Sequence, residues 1–208
     1  MLIVGARSYP DPEMVDYDPK TALVVVDVQN DFADPAGSLY VRGGEEIVPI
    51  VNGEIERALA ADAVVVYTQD WHPEVTPHFR KDGGIWPVHC VQETWGARFH
   101  PDLNVEGPPI HKGSGGEDGY SGFSMRDPRT GDRTPTSLQE VLTTRGIGKV
   151  VVAGLATDYC VVETVVDARA LGYDTAVLSE AIRAVELQPG DGDRAIARMR
   201  EAGAIVER

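Results

Sequence analysis

KVVVAGLATDYCVVETVVDARALG, residues 149–172, is the stretch that decides the fold. Its first part, KVVVAGLA (149–156), is a β-branched run without polar alternation, the pattern of a strand covered on both faces. The remainder, TDYCVVETVVDARALG, has the composition of a helix that stops at Gly172. Working outward, TALVVVDVQ (21–29) and AVVVYTQD (63–70) repeat the buried-strand pattern. Between them EEIVPIVNGEIERALAA (45–61) spaces Ile47, Ile50, Val51, Ile55 and Leu59 as a helix does. PPIHK (108–112) predicts a short strand, and TSLQEVLTTRG (136–146) a helix closing on Gly146, where a left-handed cap is easiest for glycine. Downstream, DTAVLSEA (174–181) and AIVE (204–207) predict strands with GDGDRAIARMREAG (190–203) as the helix between them. Strands alternating with helices predict an α/β fold, a parallel sheet covered on both faces through right-handed crossovers. Residues 1–20 read as an irregular lead-in. Residues 71–135, rich in Gly, Pro, His and aromatic residues, are too many for a passive connection and are expected to be the functional insertion. With no repeat, low-complexity tract or linker, one domain over 1–208 is expected.

The chain has 208 residues, 42% hydrophobic and 25% charged, enough to bury a core without disulfide or metal staples. Against 19 Lys+Arg stand 33 Asp+Glu, a net charge of −14, so no basic patch is offered to nucleic acid or to an anionic membrane. The two cysteines, Cys90 and Cys160, have no CxxC spacing. The opening MLIVGARSYPDPEMVD lacks a basic segment leading into a long apolar core, and no apolar run reaches membrane-spanning length. A soluble, cytoplasmic protein with two free thiols is expected.

Ligands of open parallel sheets bind beyond the carboxyl ends of the strands. Reactive groups arrive there from four candidate strands: Asp27, Asp70, Lys112 and, a short turn after its strand, Cys160. Cys160 is the candidate nucleophile, because GLATDYC turns from strand into helix. A thiol at that turn meets unpaired N–H groups and the positive end of the helix dipole, which favour thiolate and can hold an oxyanion. No histidine stands where a Cys–His dyad would need it, so Asp27 is the candidate base, with Lys112 offsetting the charge of two anions. Cys90, without a strand-to-helix setting, reads as structural. A second constellation, Asp70, His72, His78 and His89, lies within QDWHPEVTPHF and IWPVHC. Asp-x-His projects a carboxylate and an imidazole to one side of an extended segment, and the mixed O/N donors suit zinc, iron or manganese.

Taken together, DVQNDF (27–32), QDWHP (69–73), WPVHCVQ (86–92), HKG (111–113), YSGF (120–123) and GLATDYC (154–160) resemble the nicotinamidase/pyrazinamidase group of the isochorismatase-like cysteine hydrolase family. The resemblance runs in order from about residue 21 to the C-terminus. It implies an α/β/α sandwich around a six-stranded, mostly parallel sheet. It implies hydrolysis of nicotinamide to nicotinate and ammonia through a cysteine thioester, and of pyrazinamide as an analogue. By the same resemblance Asp27, Lys112 and Cys160 form the triad, and the N–H groups of Ala156 and Cys160 the oxyanion hole, with a cis peptide between Leu155 and Ala156. Phe32, Trp86 and Tyr120 match the positions that enclose the pyridine ring. Asp70, His72 and His89 match the ligands of one divalent transition metal. Many members read DWHPxxH, a spacing that places Thr76 here; His78 comes two residues later, similar to the mycobacterial pyrazinamidase type, and is taken as a further ligand. The loop GSGGEDGYSGF (113–123) departs from the pattern and is expected to be long, acidic and flexible.

Two other functions compete. A related amidohydrolase acting on another small amide or ureido compound keeps the triad but has no use for the histidines. A non-enzymatic α/β binding protein has no need of Cys160. A small-molecule amide is the expected partner, with neither nucleic acid nor membrane, and a homo-oligomer is possible.

Overall fold

The structure, a computed structural model, describes residues 15–207. Most of the expected lead-in, residues 1–14, lies outside the described residues. The elements that follow are β1 (Thr21–Val26), α1 (Asn30–Ala33), α2 (Val48–Ala60), β2 (Val64–Asp70), β3 (Ile110–Lys112), β4 (Ser124–Arg126), β5 (Arg133–Pro135), α3 (Leu138–Thr144), β6 (Lys149–Leu155), α4 (Val162–Ala170), β7 (Asp174–Arg183), α5 (Asp191–Glu201) and β8 (Ile205–Glu207). Six strands form one sheet in the order β3-β2-β1-β6-β7-β8. Every pairing in it is parallel, where the resemblance implied a mostly parallel sheet. The antiparallel pair β4–β5 stands apart within the insertion.

Alternation along β1 builds the layers. Leu23 and Val25 face a core shared with Val48, Val51, Ile55 and Ala58 of α2. Ala22, Val24 and Val26 face the opposite core, with Leu138 and Leu142 of α3, Val162 and Val165 of α4, and Met199 of α5. All six residues of β1 are buried, as a doubly covered strand requires. Each buried valine contributes about 1.5–3 kcal/mol relative to an exposed one. Among the described residues no helix is long and apolar enough to cross a membrane.

Several boundaries differ from the expectation for physical reasons. The first strand ends at Val26 because Asp27 takes φ 48°, which breaks the extended run before Gln29. The expected helix from residue 45 begins as a 3-10 turn, Glu45–Ile47, and its buried face is Ile47, Val48, Val51, Ile55 and Ala58. Ile50 and Leu59 fall on the edges of that face, 36% and 43% exposed. After β6 the chain makes a π-helical turn, Thr157–Val161, before α4 begins. Gly154, at φ +119°, brings β6 so close to β1 that a Cβ there would lie 2.0 Å from the Val26 carbonyl oxygen.

Candidate active site and metal centre

Register alone gathers the reactive groups. Pairing of β2 with β3 sets Asp70 beside Lys112, and pairing of β1 with β2 sets Val26 beside Thr68. Pairing of β1 with β6 sets Val26 beside Gly154. Four adjacent strands therefore end together, delivering Lys112, Asp70, Asp27 and the turn that carries Cys160.

Asp27 and Lys112 are both fully buried. Lys112 Nζ lies 2.6 Å from Asp27 Oδ2 and 3.1 Å from Asp70 Oδ1, and it also donates to the Gly119 carbonyl. Thr68 Oγ1 donates to Asp27 Oδ1 at 2.6 Å. Oxygens of Asp27 and Asp70 and Cys160 Sγ lie within 4.8 Å of one another. That trio already has its cation, since the Lys112 ammonium bridges the two carboxylates. Burial raises Asp27 above the usual carboxylate value, an effect that Lys112 opposes. Burial also disfavours the ammonium, but Asp27 and Asp70 outweigh it and hold Lys112 well above the usual lysine value.

Cys160 sits in the π turn, 6% exposed, with Val161 N–H donating back to the Ala156 carbonyl at 3.1 Å. The Leu155–Ala156 peptide is cis, as the resemblance implied. Burial opposes the thiolate that a helix N-terminus is expected to favour. Burial pushes the thiol well above its usual value, and Asp27 and Asp70 add to it, while Lys112 draws it down. Burial thus favours the thiol form, beside a carboxylate that can take its proton. Cys90 is fully buried and unbridged, with its N–H donating to Asp31 Oδ2 at 2.7 Å, in keeping with a structural part.

The second constellation also assembles. Ring nitrogens of His72, His78 and His89 lie within 4.8 Å of one another, all three buried. Asp70 Oδ2 lies 3.6 Å from His72 Nε2 and 3.9 Å from His89 Nε2. One carboxylate thus serves two centres, Oδ1 facing Lys112 and Oδ2 facing the imidazoles. His89 Nδ1 is 2.8 Å from the Pro87 carbonyl and His78 Nδ1 is 2.7 Å from Asp118 Oδ1, which leaves each Nε2 free. Both ring nitrogens of His72 are buried without a hydrogen-bond partner. An imidazole so placed loses its hydration with nothing in return unless a cation binds it. Burial pushes His89 down to about 4, which favours the neutral ring that can donate a lone pair. The donor set of three imidazoles and one carboxylate fits a divalent metal. Gly113 makes room for the His72 ring: a Cβ there, at φ +70°, would lie 2.6 Å from His72 Cε1.

A small pocket opens between the two centres. Phe32, Trp86 and Tyr120 line it, as the resemblance implied, together with Ala156, Cys160, Asp70, His78 and His89. Trp86 Nε1 donates to the Tyr120 hydroxyl at 2.9 Å. The sequence reading missed Leu39, Tyr159 and Val185 as lining residues. The Tyr159 ring meets Trp86 edge-on at 4.7 Å. It also missed the parts that hold the site: Gln29, whose side chain bonds the Asp70 backbone at both N–H and C=O, and Asp118 on His78. Of these only Gln29 had a signal, its place in DVQNDF. The loop expected to be flexible is latched, Thr76 Oγ1 donating to the Gly116 carbonyl and Gln92 Nε2 to the Ser114 carbonyl, each at 3.0 Å.

The comparisons agree with this geometry. The isochorismatase domain model matches residues 21–208. The chain is 37% identical to the nicotinamidase of Escherichia coli over 206 positions, covering 90% of this chain and 94% of that one. The pyrazinamidase of Pyrococcus horikoshii, solved in complex with zinc, superposes with a TM-score of 0.81 at 38% identity, covering 91% of this chain and 99% of that one. PnC1 of L. infantum, solved in complex with nicotinate, superposes with a TM-score of 0.83 at 33% identity, covering 93% and 96%. With a family match over residues 21–208 and similarity in sequence and fold over nine-tenths of its length, the chain belongs to the isochorismatase family.

Proposed function

We propose that the protein is a metal-dependent nicotinamidase, hydrolysing nicotinamide to nicotinate and ammonia, and pyrazinamide in the same way, with residues 21–208 acting as one hydrolase domain. The observation that carries this is the pocket itself, where aromatic side chains, the Cys160 thiol and a set of metal-fitting donors line one cavity. The family resemblance and the relatives named above support the substrate.

Asp27 takes the Cys160 proton as sulfur attacks the amide carbonyl, and a carbon–sulfur bond forms. Its burial-raised pKa makes Asp27 a stronger base than an exposed carboxylate, closer to the thiol it serves. Lys112 holds the carboxylate in place and offsets the growing negative charge. The N–H groups of Ala156 and Cys160 donate to the developing oxyanion. Asp27 returns the proton to the leaving nitrogen as the carbon–nitrogen bond breaks and ammonia departs. Water then attacks the thioester, giving up a proton to Asp27 that passes to sulfur as the thiol reforms. Phe32, Trp86 and Tyr120 hold the ring so that the carboxamide lies over Cys160. Asp70, His72, His78 and His89 would hold the metal, which when bound supplies an electrophilic anchor for a ring nitrogen.

The test is ammonia release from nicotinamide, pyrazinamide, benzamide and a ureido acid, with and without prior chelation. Turnover is expected for the two ring-nitrogen amides, with benzamide poor and chelation inhibitory. Release from the ureido acid alone, or nicotinamide turnover indifferent to exhaustive chelation, would overturn the proposal.

A further inference from the structure

We infer that Asp118 is a positioning residue for the metal centre, fixing His78 so that its Nε2 is the ligand atom. This rests on the metal-dependent function proposed above. Asp118 lies 40 residues from His78 in sequence, yet its Oδ1 is 2.7 Å from His78 Nδ1. A carboxylate only accepts, so this bond fixes the proton of a neutral imidazole on Nδ1 and leaves the Nε2 lone pair free. The ring plane is set as well: His78 stacks on His72 at 4.6 Å and 21°, with its side chain 4% exposed.

The loop is built to hold the carboxylate there. Asp118 N–H donates to the Arg126 carbonyl at 2.7 Å and Arg126 N–H returns a bond to Asp118 at 3.0 Å, tying the loop to β4. The Thr76 hydroxyl bonds the same loop at Gly116 and receives the His78 N–H, so segment 76–78 and the loop brace each other. Charge argues the same way. Asp27 and Asp70 face the Lys112 ammonium and Asp118 faces His78, three carboxylates against one ammonium, an excess that one divalent cation balances. His89, by contrast, is oriented by the neutral Pro87 carbonyl. Asp118 thus adds a negative charge that the backbone cannot supply.

The experiment is Co(II) and Zn(II) affinity, by competition with a chelator, for the wild type, Asp118→Asn, Asp118→Ala, His78→Ala and the His78→Ala/Asp118→Ala double variant. The visible spectrum of the Co(II) forms is recorded alongside. Asp118→Ala is expected to weaken binding by about 10–100-fold and to change the Co(II) spectrum. Asp118→Asn, which keeps an acceptor but loses the charge, is expected to fall between it and the wild type. In the His78→Ala background, Asp118→Ala should cost no more than about twofold further, since its route of action is already gone. Affinity within about twofold of wild type for Asp118→Ala, or an equal loss in both backgrounds, would overturn the inference. A wild type that binds neither ion would overturn the metal-dependent function itself, a result the variants cannot mimic.

Discussion

Replacing Lys112 with methionine keeps most of the aliphatic stem and removes the charge between two carboxylates. In the wild type Nζ lies 2.6 Å from Asp27 and 3.1 Å from Asp70, with lysine and Asp27 both fully buried. Removing one partner of a buried ion pair costs about 3–5 kcal/mol, and here two acids lose their counter-charge, which favours the upper end. The protein's escape is to protonate Asp27, already raised by burial and raised further once Lys112 no longer opposes it. A carboxyl whose folded pKa exceeds its unfolded value keeps its proton in the folded state as the unfolded chain loses it. Stability then falls as pH rises through that window and stays reduced above it. The deficit of Lys112→Met should therefore be slight at about pH 4 and full by about pH 8. Urea unfolding with chelator present, at both pH values, reads it: roughly 1–5 M off the midpoint at the higher pH, for a cost of about 3–5 kcal/mol and a slope of about 1–3 kcal/mol/M. A loss under about 1 kcal/mol at the higher pH, or the same loss at both, would refute the charge argument.

Asp27→Asn should cut turnover by about 10²–10⁴-fold while the thiol titrates at lower pH, since a carboxylate that opposes its ionisation is gone and Lys112 remains; ultraviolet thiolate absorbance and steady-state rates check both. At saturating metal, kcat/KM should fall on the acid side with an apparent pKa above 3.8, because Asp27 must be ionised to act and burial raises it above that value. A pH profile whose acid limb lies at or below 3.8 would exclude Asp27 as the base. Trp86→Ala removes one wall of the pocket and its edge-on contact with Tyr159 at 4.7 Å. An aromatic pair is worth about 0.5–1.5 kcal/mol, so KM for nicotinamide should rise up to roughly tenfold with a smaller change in kcat.

The doubly covered strands were legible because burial on both faces leaves an uninterrupted β-branched run, and β1 is buried at every position. The strand-end groups were legible because parallel pairing aligns carboxyl ends, so Asp27, Asp70 and Lys112 had to arrive together. Boundaries were not. Nothing in DVQ announces that Asp27 turns to a positive φ, nor in TDYC that the helix opens with a π turn. The β4–β5 hairpin escaped because its strands are short and carry no buried residue. Asp118 escaped for another reason: its partner is 40 residues away, and an acidic loop reads as solvated until the fold sets it against His78.

The most direct measurement is nicotinate formed from nicotinamide by metal-loaded wild type and Cys160→Ala, side by side at equal metal content. Many turnovers are predicted for the wild type and none above the uncatalysed rate for the variant, whose pocket and metal ligands are otherwise intact. A wild type that forms no nicotinate, or a variant that keeps about a tenth of wild-type turnover, would contradict the account.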